Sequence, residues 1–149
     1  MPHAKNKVWI HGVFSTKSRV PFLSSNIREE VYQMLDGQFK KLGCHMESIG
    51  GIDDHVHVLF LLNRDLTLSK VFHQVKGATS RFINLKKMAP DLFRWQIGYG
   101  AFSVSESKVP DVVRYIQNQE EHHKNYPYDQ EYVDFLKRHG LPSDEYDFE

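Results

Sequence analysis

A chain of 149 residues has the length of one compact domain, and its 40% hydrophobic and 26% charged residues exclude a disordered or fibrous protein. Its apolar runs fall short of the ~20 residues of a membrane span, and its first residues lack the apolar middle of a signal peptide, so we expect a cytoplasmic protein without a membrane partner. The formal net charge is zero, and the single Cys44 excludes both an internal disulfide and a zinc site made of several thiolates.

The first predicted strand covers Val8–Ser15, which is rich in β-branched and aromatic residues. A helix is predicted over Ile27–Leu42, where apolar residues recur at helical spacing. Asn26 is a suitable cap at the start of this helix, and Gly43 is placed to end it. The first third of the chain is therefore expected to contain one strand followed by one helix.

A hairpin is predicted next, with strands over Cys44–Ile49 and Val56–Leu62. Gly50-Gly51 supplies residues that tolerate the positive φ of a tight connection between these strands. A second amphipathic helix is predicted over Leu66–Lys87, interrupted or adjusted at Gly77. This helix would present one apolar side and one basic side.

The remaining elements complete an alternating pattern. Ala101–Ser105 is predicted to form a fourth strand, Val109–His123 a third helix and Tyr132–His139 a short final helix. The order βαββαβ predicts a ferredoxin-like α+β fold, which is an antiparallel sheet with helices on one face. The third helix would follow this unit as a tyrosine-bearing C-terminal helix.

Charge is distributed unevenly along the chain. Residues 1–87 carry 13 basic and 7 acidic side chains, whereas residues 125–149 carry 2 basic and 7 acidic ones. We expect one domain over residues 1–149, with a core at about 7–125 and an acidic C-terminal extension at 126–149. The asymmetry is consistent with a basic working surface, but charge alone favours the simpler interpretation of two solvated faces.

Two histidines on the third strand form the first candidate site. Because strand side chains alternate between faces, His55 and His57 point the same way. Two residues of strand span ~6.6 Å and a metal–nitrogen bond is ~2 Å, so both imidazoles can reach one ion. Asp53 and Asp54, directly before them, could orient an imidazole or supply an oxygen. With nine histidines in the chain, a chance pair on a half-exposed strand is the alternative.

The third predicted helix offers further groups for such a site. Tyr115 and Gln119 are four residues apart and share a side of the helix that differs from its apolar stripe. A glutamine carbonyl oxygen is a hard, neutral ligand suited to magnesium or manganese, and a tyrosine can attack a phosphodiester that the metal binds. An ordinary amphipathic tyrosine is the alternative for Tyr115, and Tyr99, flanked by Gly98 and Gly100, is the competing nucleophile.

These motifs resemble those of the HUH-type single-tyrosine transposases of small bacterial insertion sequences and of their relatives associated with repetitive palindromes. The triplet His55–His57 matches the His-hydrophobic-His motif of that family, and Tyr115–Gln119 matches its Tyr-x-x-x-Gln helix. Trp95–Ser103 and Gln119–His123 also look like family positions. The resemblance covers most of residues 7–139.

The resemblance implies a DNA nicking and strand-transfer enzyme that acts on single-stranded DNA with imperfect hairpins. On the matching positions, His55, His57 and Gln119 would hold a divalent ion, and Tyr115 would attack to leave a free 3′ hydroxyl and a 5′ phosphotyrosine. The family also implies a homodimer, in which the tyrosine helix of one subunit can complete the histidine pair of the other. Charge and placement make four basic residues candidates for DNA binding: Lys17, Arg19, Lys76 and Arg81.

Three alternatives compete with this interpretation. A histidine-triad nucleotide hydrolase needs a further histidine on the same strand face, where Leu59 stands. A two-histidine phosphoesterase needs paired His-x-Ser/Thr motifs, which the sequence lacks. A catalytically silent nucleic-acid-binding regulator derived from a transposase meets no such contradiction, although intact Tyr115 and Gln119 weigh against it.

Overall fold

A four-stranded antiparallel sheet forms the centre of the protein. The computed structural model describes residues 4–143 of the chain. Its strands lie in the spatial order β2-β3-β1-β4, the topology expected of a βαββαβ unit, so the predicted ferredoxin-like α+β class is confirmed. The strands are β1 Trp9–Ser15, β2 His45–Gly51, β3 His55–Leu61 and β4 Gly100–Val104.

The register of the central strands decides which residues share a face. Strand β1 pairs with β3 so that Ser15 lies opposite His55 and Val13 lies opposite His57. Strand β1 also pairs with β4, where Val13 lies opposite Gly100. Because residues opposite each other in an antiparallel pair point to the same side of the sheet, these five residues line one face.

Two helices, α1 at Ser25–Lys41 and α2 at Leu68–Leu85, pack on the other face and form the first layer. Their apolar stripes meet alternate residues of β1 and β3, as helical spacing predicts. Two details differ from the prediction: α1 is capped by Ser24 and not by Asn26, and α2 continues through Gly77 without interruption. The core of this layer includes Phe14, Val31, Leu35, Phe39, Val56, Val58, Phe60, Val71, Phe72 and Val75.

Three further helices cover the histidine-bearing face and form the second layer. They are α3 at Val109–Gln117, α4 at Gln119–His122 and α5 at Tyr128–Arg138. The single helix predicted over 109–123 is wrong, because the backbone leaves helical geometry at Asn118 (φ −102°, ψ 22°). The N–H of Asn118 donates to the carbonyl oxygens of Arg114 and Tyr115, so α3 ends there and α4 starts as a separate helix.

Helix α5 belongs to the second layer, although it lies in the segment expected to be an acidic extension. It begins at Tyr128, before the predicted start at Tyr132. The acidic residues 144–149 of the expected extension lie outside the described part of the chain. Within residues 4–143, no helix has the length and apolar character needed to cross a bilayer. Helix α5 packs its buried side against Val13 and Phe102 of the sheet through Tyr128, Tyr132, Phe135 and Leu136.

The connection between β2 and β3 also differs from the prediction. Gly50 and Gly51 lie inside β2 and pair with β3, and the chain turns over residues 52–54. A Cβ at Gly50 would lie 2.5 Å from the backbone oxygen of Ile116 in α3. The absence of a side chain at Gly50 therefore lets α3 approach the sheet closely, which is a different use of glycine from the predicted tight turn.

Gly50→Ala is expected to destabilise the fold, because the added Cβ meets a backbone oxygen of α3 that cannot move alone. Overpacking of this kind costs about 1–3 kcal/mol. Gly37→Ala is the matched control, since an added Cβ at Gly37 of α1 has nothing within 4 Å. That change is expected to stabilise the helix by about 0.5–1 kcal/mol. Chemical denaturation measures both, and an unfolding free energy of Gly50→Ala at or above that of the parent would contradict the close approach.

Candidate active site

His55 and His57 lie side by side on β3 and face the second layer. Both side chains are fully buried, and their ring centroids are 5.1 Å apart. The strand is thus covered by the second layer, whereas a chance pair would sit on a half-exposed face. Two imidazoles that are both removed from water need specific polar partners.

One ring nitrogen of each histidine is held by a polar neighbour. Asp54 Oδ1 lies 2.8 Å from His55 Nδ1, and His11 Nε2 lies 2.9 Å from His57 Nδ1. Bonds of this kind fix the orientation of an imidazole whose other nitrogen binds a metal. Asp54 therefore orients the imidazole of His55. Asp53 instead forms an ion pair with Arg28 of α1.

The Nε2 atoms of both histidines face the carboxylate of Glu131 on α5. Glu131 Oε1 lies 2.9 Å from His57 Nε2 and 3.6 Å from His55 Nε2. Glu131 Oε2 lies 3.2 Å from His123 Nε2 and 3.0 Å from His122 Nε2. The ligand atoms of His55, His57, His123 and Glu131 all lie within 4.8 Å of one another, and we call these four residues the metal cluster.

Gln119 also reaches the metal cluster, but from α4 and not from the helix of Tyr115. Its Oε1 lies 3.1 Å from His55 Nε2 and 2.9 Å from His123 Nε2. Its side-chain N–H donates to the carbonyl oxygen of Tyr115, 3.3 Å away, which bridges the break between the two helices. The structure thus places the buried amide oxygen of Gln119 between two imidazoles.

Tyr115 joins the same site from α3. Its hydroxyl donates to Glu131 Oε2 and lies 3.4 Å from His122 Nε2. Its ring meets that of His57 edge-on, with centroids 5.5 Å apart. The half-buried side chain borders a surface depression of about 340 Å³, which is also lined by Asp111, Arg114, Asn118 and His122. The phenol and the histidine pair therefore meet within one chain, at a place that opens to solvent.

Two other tyrosines lie near but fit the role of nucleophile less well. Tyr99 stacks on Phe72 of α2, with ring centroids 4.1 Å apart, so its ring is packed against the first layer. Tyr128 stacks on His55 at 4.4 Å, but only 6% of it is exposed. Tyr115 combines a hydroxyl that contacts the metal cluster with a side chain that borders solvent.

The sequence analysis missed His123 and Glu131. His123 ends the stretch Gln119–His123, in which only Gln119 is assigned a chemical role from the sequence. Glu131 lies on the apolar side of α5, between Tyr128 and Phe135 at helical spacing. Helical spacing places Glu131 on the side of α5 that faces the core, and a carboxylate buried there needs a polar partner. This pattern was the sequence signal that could have identified Glu131 as a site residue.

The surroundings set the protonation of these groups. Burial lowers the pKa of His57 to about 4 against the opposing effect of Glu131, and burial together with His57 lowers the pKa of His11 to about 3. Burial by itself raises the pKa of Glu131, but hydrogen bonds with His123 and His57 outweigh it and hold the pKa far below its usual range. Burial, and next the charge of Glu131, raise the pKa of Tyr115. At neutral pH the site contains a neutral His57, an ionised Glu131 and a protonated phenol.

The metal cluster has the composition of a divalent metal site. Neutral imidazoles and an ionised carboxylate are the forms in which histidine and glutamate bind metals. Three nitrogen donors suit zinc better than magnesium, which prefers oxygen ligands, and the carboxylate is a ligand that manganese also accepts. The residues present can therefore hold a metal ion, and the amide oxygen of Gln119 is a further donor.

The four basic residues expected to contact DNA do not form one group. Lys17 is exposed just after β1, and Arg81 is exposed on α2. Lys76 of α2 is half-buried, donates to two backbone carbonyl oxygens, and has its pKa lowered to about 8 by burial. Arg19 forms an ion pair with a carboxylate of α5. Lys17 and Arg81 thus present charge to solvent, whereas Lys76 and Arg19 also hold parts of the fold together.

Comparison with known proteins defines the class of protein as a transposase. The chain belongs to the family of IS200-like transposases, whose family model matches residues 4–119. A protein from Deinococcus radiodurans R1 that was assigned as a transposase is similar in structure, with a TM-score of 0.63, 21% identity, and coverage of 78% of this chain and 94% of that one. A REP-associated tyrosine transposase bound to a REP hairpin is similar with a TM-score of 0.56, 15% identity, and coverage of 93% and 72%. A search of curated proteins gives no match.

The family match ends at Gln119, directly before the remaining members of the site. His123 and Glu131 lie beyond it, on or next to α4 and α5. Two of the four residues of the metal cluster therefore lie beyond the residues that the family model matches.

Adding Mn²⁺ or Zn²⁺ to metal-free protein is expected to raise the thermal midpoint, because an ion that binds only the folded cluster stabilises it. At one hundred times Kd the gain is about 2.7 kcal/mol, or about 5–10 °C for a chain of this size. Glu131→Gln keeps the shape but removes the charge, so most of this shift should be lost. Glu29→Gln, at an exposed position of α1, should keep the shift. Equal shifts in Glu131→Gln and the parent would show that Glu131 is not a ligand.

Proposed function

We propose that the protein is a DNA transposase that binds single-stranded DNA hairpins and cuts and rejoins strands by tyrosine transesterification. One observation carries the proposal: the hydroxyl of Tyr115 contacts Glu131, and Glu131 in turn contacts both imidazoles of the His55 and His57 pair. Nucleophile and metal donors are thus within reach of one phosphate. Membership of the IS200-like transposase family supports the reaction class.

His55, His57 and Gln119 would hold the divalent cation, with His123 and Glu131 as additional donors. When bound, a divalent cation acts as a Lewis acid that stabilises negative charge on the phosphate. The oxygen donor Gln119 is suited to magnesium or manganese, whereas the imidazoles are better suited to zinc.

Tyr115 would carry the covalent step. Its phenolic oxygen forms a bond to phosphorus while the bond from phosphorus to the 3′ oxygen breaks. The phenol loses its proton, and the departing 3′ oxygen gains one to become a hydroxyl. The resulting 5′ phosphotyrosine keeps the energy of the phosphodiester. Attack by a 3′ hydroxyl, which loses its proton, then breaks the bond from phosphorus to the Tyr115 oxygen, which regains a proton, and the strands are rejoined without ATP.

The substrate in this proposal is single-stranded DNA that carries an imperfect hairpin. A structurally similar REP-associated tyrosine transposase was solved with a REP hairpin, which supports this class of DNA. The basic surplus of residues 1–87 supports an anionic partner. Phosphate contacts are proposed for the basic candidates Lys17, Arg19, Lys76 and Arg81.

A homodimer is also part of the proposal, as the family resemblance implies. The ring of Tyr115 meets His57 of the same chain. Each protomer of such a dimer would therefore contain a complete site in cis, without exchange of its tyrosine helix.

Tyr115→Phe is expected to abolish covalent attachment to a single-stranded hairpin in magnesium or manganese, because it removes the attacking oxygen, together with the hydrogen bond of that oxygen to Glu131. Tyr99→Phe keeps its ring stacked on Phe72 and is expected to retain the adduct. Denaturing gel electrophoresis of protein incubated with labelled DNA detects the adduct. Loss of the adduct in Tyr99→Phe but not in Tyr115→Phe would reassign the nucleophile. Hairpin binding by the parent without any adduct would favour the catalytically silent regulator.

Changing either His55 or His57 to alanine is expected to weaken cleavage far more than hairpin binding, because the imidazoles act at the cleaved phosphate. The loss of cleavage should be on the order of a hundredfold, as for other groups that stabilise charge in a transition state. His45→Ala, at an exposed histidine of β2, is the control and should preserve both properties. Equal losses of cleavage and binding in the His55 or His57 variants would point to a structural role.

A further inference from the structure

A cavity larger than the surface depression at Tyr115 opens between α2 and the segment that precedes β4. Its volume is about 860 Å³, compared with about 340 Å³ for the depression at Tyr115. Phe72 and Tyr99, two of the aromatic residues that line it, stack with an angle of 11° between their planes. We call this cavity the aromatic cleft, after its aromatic lining residues Phe72, Phe93, Trp95 and Tyr99.

Basic side chains surround the aromatic cleft. Lys17, Lys70 and Arg94 line it and are exposed, and the half-buried Lys76 lines it as well. None of its lining residues, all of which belong to the described part of the chain, is acidic. In a protein with a formal net charge of zero, this is a local concentration of positive charge. Aromatic faces next to cations match an unpaired nucleobase with its flanking phosphates.

The aromatic cleft is held in shape by bonds within the protein. The ammonium group of Lys76 donates to the carbonyl oxygen of Gln96 at 2.7 Å and also to that of Gly98. Trp95 forms a β-bridge with Thr16. These contacts tie the segment before β4 to α2 on one side and to the end of β1 on the other. A cleft formed in advance loses less ordering entropy when it binds a ligand.

The aromatic cleft also lies close to the candidate active site. The N–H of Gln96 donates to the carbonyl oxygen of Ser15 at 2.9 Å, and the Ser15 hydroxyl donates to Gln96 Oε1 at 2.6 Å. Ser15 is the cross-strand partner of His55. Partners of this kind have Cα atoms only ~4.5–5.5 Å apart. A nucleotide close to the cleaved phosphate can therefore place its base in the cleft.

We propose that the aromatic cleft binds one unpaired base of the single strand that flanks the hairpin. This inference rests on the proposed function, and it identifies where the protein would contact the single strand next to the cleaved phosphate. Tyr99, the partly exposed aromatic residue of the cleft, would stack on the base, and Lys17, Lys70 and Arg94 would contact the adjacent phosphates. Bases of the hairpin stem are already paired and stacked, so an unpaired base is the fitting occupant.

Two variants of the aromatic cleft test the proposal. Tyr99→Leu removes an aromatic face while keeping apolar volume, and Arg94→Ala removes an exposed charge. Their matched controls are Tyr32→Leu, at a partly buried aromatic residue of α1, and Lys40→Ala, at an exposed lysine of α1. Fluorescence anisotropy of the full chain measures binding to a hairpin whose flanking nucleotides are replaced, one at a time, by an abasic residue.

At one flank position, loss of the base is expected to weaken binding roughly tenfold in the parent and in the controls, as for one base–aromatic stack. The same substitution should have a clearly smaller effect in Tyr99→Leu, because both changes remove the same contact. Arg94→Ala should flatten the dependence of log affinity on log salt by about 0.7, the value for one phosphate contact in a single strand. Lys40→Ala should leave that slope unchanged.

Equal abasic effects in Tyr99→Leu and in the parent at every position, together with an unchanged salt slope in Arg94→Ala, would overturn the cleft as a base site. Hairpin binding and adduct formation would then persist, and the proposed function would stand. Failure of the parent to bind the hairpin at all would contradict the proposed function and this inference together.

Discussion

The carboxylate of Glu131 lies between two imidazoles of the sheet and the phenol of α3, and the second layer is arranged around it. An ionised carboxylate removed from water is strongly unfavourable unless charged or hydrogen-bonding groups surround it. His57, His123 and Tyr115 supply those groups from β3, from the end of α4 and from α3. One buried charge therefore links four elements, and the same contacts bring the candidate metal donors and the proposed nucleophile Tyr115 together.

The helix layers on the two faces of the sheet contribute different parts of the protein. The first layer, α1 and α2, supplies the apolar core and one wall of the aromatic cleft. The second layer supplies the metal cluster and Tyr115. The pair of Ser15 and Gln96 connects the two regions through the end of β1. A single strand bound as proposed at this end of the sheet would meet both regions within a short stretch of its backbone.

Local periodicity was sufficient to predict the βαββαβ order and the shared face of His55 and His57, because both depend on neighbouring residues alone. It failed where the backbone conformation depends on contacts with residues that are distant in the sequence. Gly50 indicated a turn, but its role is the close approach of α3. Helical spacing joined Tyr115 to Gln119, but the break at Asn118 brings Gln119 to the metal cluster from a separate helix. The acidic composition around Glu131 gave no sign that this carboxylate is buried, since composition carries no information about packing against the sheet.

If a cation occupies the metal cluster, the position of Glu131 on α5 couples the binding of that ion to the packing of this helix on the sheet. Whatever free energy the carboxylate contributes to holding a cation, the cation contributes equally to holding α5 on the sheet. A partner that lifts this helix would loosen the ion by the same factor, and a chelator would in turn loosen the helix. Through the contact of Glu131 with His57, a bound ion would couple α5 to a residue 74 positions earlier in the chain.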